Sequence, residues 1–204
     1  MRAGVSLTGL IEQARDCRRC PLYRNATQTV FGEGPAHAPV VMVGEQPGDQ
    51  EDLQGRPFVG PAGRILDRAL ADAGVDRSRV YVTNAVKHFK FEPRGKKRLH
   101  KKPNAGEIEA CKWWLDQELD LIKPTLTVAL GATAARGLAG RPIAIGSARG
   151  HLMEFRPGLS GIVTIHPSFL LRMPDPAVKA QEYNRFVQDL RLIARHVPAA
   201  KRAA

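Results

Sequence analysis

The chain has 204 residues, 43% hydrophobic and 25% charged, with 31 basic against 20 acidic residues and a net charge of +11. That length suits one domain, 1–204, with a full core. No apolar run reaches the roughly 18 residues of a membrane span, and Met1-Arg2-Ala3-Gly4 leads into no apolar segment, so a cytoplasmic location is expected. The cationic excess points to a polyanion, nucleic acid before membrane.

In chain order, residues 6–16 read as a short helix that ends at the turn Cys17-Arg18-Arg19-Cys20-Pro21. Its Cys-x-x-Cys spacing suits a metal or redox pair, and three cysteines in such a compartment argue against a disulfide framework. Val40-Val41-Met42-Val43 reads as a buried strand opening into Gly44-Glu45-Gln46-Pro47-Gly48-Asp49. In an open α/β sheet, ligands bind beyond the carboxyl ends of the strands. Two carboxylates and an amide therefore stand where chemistry is done, beside glycines that allow backbone to approach a ligand. Pro61 to Ala73 reads as a helix, with Ile65, Leu66, Ala69 and Leu70 as its apolar face and Gly74 as its stop.

Val80 to Val86 is a second strand, ending near Asn84. Residues 87–102 then hold eight cations (Lys87, Lys90, Arg94, Lys96, Lys97, Arg98, Lys101, Lys102) against one acid, Glu92. With no periodicity and with Pro93, Gly95 and Pro103, the segment 87–103 reads as a long irregular loop that meets nucleic acid. Asn104-x-x-Glu107 resembles a capping box and opens a helix to about Ile122, carrying Cys111, Trp113 and Trp114. Thr125–Leu130 is a third strand, breaking at Gly131 into a short Ala-rich helix. Residues 151–155 and Ile162–Ile165 are further strands, the second ending in His166-Pro167-Ser168. A last helix spans about 176–196, before a basic tail, 198–204, expected to be disordered. Strands alternating with helices predict a three-layer α/β/α sandwich around a mainly parallel, four-stranded sheet. No oligomerisation signal appears, so a monomer is the default.

Four constellations carry chemistry. Cys17, Cys20 and Cys111 make an incomplete tetrahedral set, and His88 is a candidate fourth ligand. Cys₃His suits zinc or an iron–sulfur cluster, and spacing does not separate them from each other or from three unrelated thiols. His166, just past a strand, suits a proton carrier or a donor to a developing anion. His100 sits among cations that disfavour imidazolium, which keeps it a neutral nucleophile. Phe58 suits stacking on a flat ligand, and the Asn84 amide suits reading a base edge. Together these describe a pocket for a flipped nucleobase.

Gly44-Glu45-Gln46-Pro47-Gly48-Asp49, Pro57-Phe58-Val59-Gly60-Pro61-Ala62-Gly63, Thr83-Asn84-Ala85-Val86-Lys87, Leu130-Gly131 and His166-Pro167-Ser168 resemble the uracil-DNA glycosylase superfamily, over nearly the whole chain. The iron–sulfur, family-four branch is the most similar. That branch carries four cysteines, whereas here His88 stands where a cysteine is usual. This departure, Gln46, and the extra loop Lys96-Lys97-Arg98-Leu99-His100 resemble the UdgX-type subfamily, whose loop usually reads Lys-Arg-Arg-Ile-His and whose loop histidine bonds covalently to the DNA sugar.

The resemblance implies a [4Fe–4S] cluster on Cys17, Cys20, His88 and Cys111, serving as a scaffold. It implies uracil stacked on Phe58 and read by Asn84 in a slot bordered by Gly44 and Gln46. His166 would stabilise the uracil anion, His100 would attack the sugar, Glu45 would take up its proton, and Gln46 and Asp49 would line the same face. Lys96, Lys97, Arg98 and Ser168 would contact DNA. Single-stranded uracil-containing DNA would be accepted, with uracil as the leaving group. Two other readings stand beside this one: a conventional iron–sulfur enzyme that frees uracil and leaves an abasic site, and a non-catalytic zinc-bearing nucleic-acid-binding protein.

Overall fold

A computed structural model describes residues 6–195. The tail at 198–204 lies outside the described residues. In chain order the elements are α1 (Leu7–Ala14), β1 (Val40–Gly44), α2 (Asp49–Gln54), α3 (Pro61–Asp72), β2 (Val80–Asn84), β3 (Phe91–Arg94), β4 (Lys97–His100) and α4 (Ala105–Ile122). There follow β5 (Leu126–Leu130), α5 (Ala132–Ala139), α6 (Ile145–Ala148), β6 (Leu152–Arg156), β7 (Leu159–Thr164), α7 (Ser168–Leu171) and α8 (Pro176–Ala194). No helix among the described residues is long and apolar enough to cross a membrane.

The central sheet runs β2-β1-β5-β7-β6, parallel except for β6. It has five strands rather than the expected four. The fifth arises because Pro157-Gly158 turns β6 straight into β7, where Arg156 faces Leu159; two residues suffice for an antiparallel pair but not for a parallel crossover. Alternate strand residues feed two cores. On one face Val40, Met42, Val82 and Val128 pack with Leu66 and Leu70 of α3 and Phe186 and Leu190 of α8. On the other, Val41, Val43, Ala129 and Val163 pack with Leu115 and Leu119 of α4 and Leu138 of α5. These strands are buried along their whole length, which is why they read as unbroken apolar runs. The result is the expected three-layer sandwich.

The capping box of α4 is real and reciprocal. Glu107 N donates to Asn104 Oδ1 at 2.9 Å, and Asn104 N donates to Glu107 Oε2 at 2.7 Å. Segment 87–103, by contrast, is irregular only at its two ends. β3 and β4 form an antiparallel hairpin outside the main sheet, with Phe91 opposite His100 and Arg94 opposite Lys97. Its two-residue turn begins at Gly95, φ +58. Charged side chains on both strands hide the alternation that marks a half-buried strand. α2 also escapes the sequence reading, because six residues are too few for a helical period to show.

Candidate active site

A cavity of about 1100 Å³ opens beyond the carboxyl ends of β1, β2, β5 and β7. Its walls include Glu45, Gln46, Phe58, Asn84, His100 and His166. Sequence reasoning had named all six, from five separate segments, and the fold gathers them at the carboxyl end of the parallel sheet.

Phe58 and Asn84 form a slot. Phe58 is the one non-glycine residue near the cavity with a left-handed backbone, φ 57, a conformation with a real cost for a bulky side chain. Gly63 permits it, since a Cβ there would lie 1.6 Å from the Phe58 carbonyl oxygen. Gly44 keeps the slot open from below: a Cβ would lie 2.4 Å from Asn84 Oδ1 and 2.7 Å from Phe58 Cζ. The Phe58 ring stacks near His166, centroids 6.3 Å apart and planes 28° apart.

The tautomer of His166 follows from its neighbours. Ser168 N–H reaches His166 Nδ1 at 3.2 Å and must donate to it. Nδ1 is then the acceptor, and the proton of the neutral ring sits on Nε2. Burial first, then the charges of His100 and Arg172, push its pKa down to about 4. A neutral donor at this point suits a developing anion. Ser168, expected on DNA, also meets this ring: its hydroxyl lies 2.8 Å from the same Nδ1 and accepts from Arg172.

Across the cavity, His100 Nε2 lies 3.3 Å from Glu45 Oε1. The other carboxylate oxygen, Oε2, accepts from the Thr133 hydroxyl at 2.5 Å. Thr133 was missed by the sequence reading; its position three residues past the end of β5 was the available signal. The His100 ring packs on buried Phe89, centroids 6.2 Å apart. Burial holds the His100 pKa below that of free imidazole, Glu45 pulling it up and Arg172 pushing it down.

The hairpin that carries His100 is clamped at two places. Arg98 donates from Nε to Asp49 Oδ1 and from Nη1 to Asp52 Oδ2, both at 2.6 Å. Its guanidinium lies over the rings of Phe89 and Phe91. The Gln46 amide donates to the carbonyls of Lys90 and Lys101 at 3.1 Å each. So Arg98 and Asp49 meet each other at the root of α2, and Gln46 grips the base of the hairpin while lining the cavity.

The basic segment is less free than its count implies. Lys87 is fully buried, donating to Glu118 Oε2 at 2.5 Å, to Thr83 Oγ1 and to the Asn84 carbonyl. Lys90 pairs with Glu107 and Lys101 with Glu92. Lys96, Lys97 and Lys102 remain exposed. The cavity lip also carries exposed Phe169 and Leu171, which the sequence reading did not single out.

Cys17, Cys20 and Cys111 are buried in one satellite core with Leu10, Phe31, Ile108 and Trp114. Trp114 Nε1 donates to Cys17 Sγ at 3.1 Å, and Lys87 N donates to Cys111 Sγ at 3.2 Å. Burial pushes the Cys111 thiol up to about 12 and raises Cys20. His88 is buried with Nδ1 lacking any hydrogen-bond partner, an unusual state for an imidazole. Among the described residues no three such side chains close round a point as the ligands of a single ion. The donor set nonetheless fits a larger group: three buried cysteines in one core, two of them accepting N–H donors, and a buried ring nitrogen of His88 with no partner.

Residues 31–191 match the sequence profile of the uracil DNA glycosylase superfamily. The chain is 40% identical to the type-4 uracil-DNA glycosylase of Thermotoga maritima, over 79% of this chain and 81% of that protein. It is 36% identical to the type-4 uracil-DNA glycosylase of Pyrobaculum aerophilum, over 83% and 87%. The type-5 uracil-DNA glycosylase of the same organism is 30% identical, over 60% and 65%.

Proposed function

The chain belongs to the uracil-DNA glycosylase superfamily, and from that membership and the cavity geometry we propose that it excises uracil from DNA and becomes joined through His100 to the sugar left behind. The observation that carries the covalent step is the imidazole of His100 facing Glu45 at 3.3 Å inside the cavity wall, on a hairpin clamped by Arg98 and Gln46.

A uracil flipped from the strand stacks on Phe58 and pairs its edge with the Asn84 amide. The N1–C1′ bond breaks with its electron pair moving onto the base, and His166 Nε2–H donates to the uracil oxygen that takes up charge. The unprotonated nitrogen of His100 forms the new bond to C1′. The proton on the other nitrogen passes to Glu45, which Thr133 holds in place, so a neutral alkylated imidazole results. Partial desolvation of the half-exposed His100 ring at the cavity wall favours the neutral form that this attack requires. Lys96 and Lys97 at the hairpin tip meet phosphates.

Cys17, Cys20, His88 and Cys111 would hold a [4Fe–4S] cluster, and its metal–ligand bonds would then tie the segment after α1, the turn after β2 and α4 together. No step of the excision passes through it.

The test is a denaturing gel of the protein with a uracil-containing single-stranded oligonucleotide. A protein–DNA band that survives denaturant is expected, and His100→Ser should lose it. Uracil release with a free abasic site and no such band would leave the glycosylase assignment standing and overturn the covalent step.

A further inference from the structure

The turn between Cys17 and Cys20 carries a surface that the excision chemistry does not use. The Arg19 guanidinium lies 4.5 Å from the centroid of the Trp113 ring. Arg18 and Arg24 approach the Tyr23 ring at 5.8 and 5.9 Å. All three arginines are exposed, and none pairs with a carboxylate among the described residues. Trp113 is 39% exposed, a large share for an indole, yet it is braced. Its ring meets Trp114 edge-on at 4.6 Å, and Trp114 in turn donates to Cys17. A guanidinium-covered aromatic plane is thus held rigidly at the surface. The hairpin, read as the basic element, has four of its eight cations neutralised; here the charge is free.

The surface is joined to the site through α4. Glu107, six residues before Trp113 on that helix, pairs with Lys90 at 2.8 Å. Lys90 in turn is held by Gln46 of the cavity wall. Gln46, Lys90 and Glu107 therefore link the cavity wall to the helix that carries Trp113. Exposed planes that alternate with unpaired cations are the requirement for single-stranded nucleic acid: bases stack on aromatic and guanidinium faces while phosphates meet positive charge.

We infer that Arg18, Arg19, Arg24, Tyr23 and Trp113 form a second nucleic-acid contact, which takes the single-stranded flank of the substrate beyond the uracil. The inference rests on the proposed DNA substrate and assigns its length and strandedness. A flank that reaches the turn adds up to three phosphate contacts to those at the cavity.

The experiment compares uracil-free single-stranded oligonucleotides of about 6 and about 30 nucleotides, one near the short end of the range over which such sites extend and one well beyond it. Wild type and Arg18→Ala/Arg19→Ala/Arg24→Ala protein are titrated at several salt concentrations. The triple variant should bind the long strand about tenfold or more weakly, with a salt slope smaller by about 2, and bind the short strand as wild type does. Trp113→Ala should weaken the long strand about tenfold through lost stacking, and an unchanged visible spectrum shows that the cysteine core is intact. Equal affinity and slope in all three proteins on the long strand would overturn the inference. Excision from a short uracil-containing strand reads the cavity separately, so failure of wild type there would count against the proposed function instead.

Discussion

Gln46 and Lys90 exchange a pair of hydrogen bonds: the side-chain amide donates to the Lys90 carbonyl and the Lys90 N–H donates to Gln46 Oε1, each at 3.1 Å. The same amide also donates to the Lys101 carbonyl. One residue after Glu45 thus closes both ends of the hairpin that presents His100. The neighbour that polarises the imidazole and the one that positions it are adjacent in sequence.

Gln46→Ala should therefore separate two steps. It leaves the Lys90 N–H and the Lys101 carbonyl without their partner, while the Lys90 carbonyl keeps the Lys101 N–H; the cost is about 1–3 kcal/mol, with a fall in Tm of a few degrees. The rate of covalent capture should drop more than the rate of uracil release, because only capture needs the hairpin in register. Single-turnover release and crosslinking, followed on the same samples, measure both. Equal loss of both rates would place Gln46 on the uracil rather than on the hairpin.

Arg98 makes a stronger anchor. Its partner Asp52 is fully buried and also accepts from Thr27 N and Oγ1. Arg98→Ala leaves that buried carboxylate its Thr27 donors but no cation, at a cost of up to about 3–5 kcal/mol. Arg98→Lys keeps the charge but not the fork that spans Asp49 and Asp52. Thermal melts should rank wild type above Lys above Ala, and crosslinking should follow the same order. A Lys variant equal to wild type in both would show that charge alone holds the hairpin.

The sequence made the sheet and its carboxyl-end residues legible, because buried parallel strands announce themselves as apolar runs and end in glycine-rich loops. Glu45, Phe58, Asn84 and His166 were found that way. What it concealed were pairings across long separations. Lys87 reads as one more phosphate contact, yet sits buried on Glu118, 31 residues away. Arg98 reads the same way, yet answers to acids 46 and 49 residues earlier. A charge count cannot distinguish a solvated cation from one with a distant partner, and a two-stranded hairpin gives no apolar alternation when its faces are charged.

Acid should weaken the fold through His166. Its pKa is lowered to about 4 from the ordinary 6.5, chiefly by burial. The unfolded chain therefore binds a proton between pH 6.5 and 4 that the folded chain does not, and stability falls as pH drops through that window. The single group accounts for up to roughly 3 kcal/mol. Denaturant melts at pH 7 and pH 4.5 should show a larger loss in wild type than in His166→Asn, and identical losses would sink the assignment. Capture by His100, whose pKa is also lowered, should keep its acid limb below pH 6.5.

The cysteine core gives the last separation. If Cys17, Cys20, His88 and Cys111 hold an iron–sulfur cluster, purified protein is brown and contains iron, whereas zinc gives a colourless protein. His88 Nδ1 is buried without a partner, so the structure gains nothing from that nitrogen unless a ligand meets it. His88→Cys should retain iron and colour, because a thiolate replaces the imidazole at the same ligand position. His88→Leu should lose both, and should also loosen the turn after β2, where Lys87 N donates to Cys111 and Lys87 Nζ supports the Asn84 carbonyl. Uracil release should then fall through weaker reading of the base, seen in single-turnover assays as a rise in the half-saturating DNA concentration before a loss of the maximal rate. A colourless, iron-free wild-type protein that still excises uracil would remove the cluster from the proposal and leave the cavity chemistry intact.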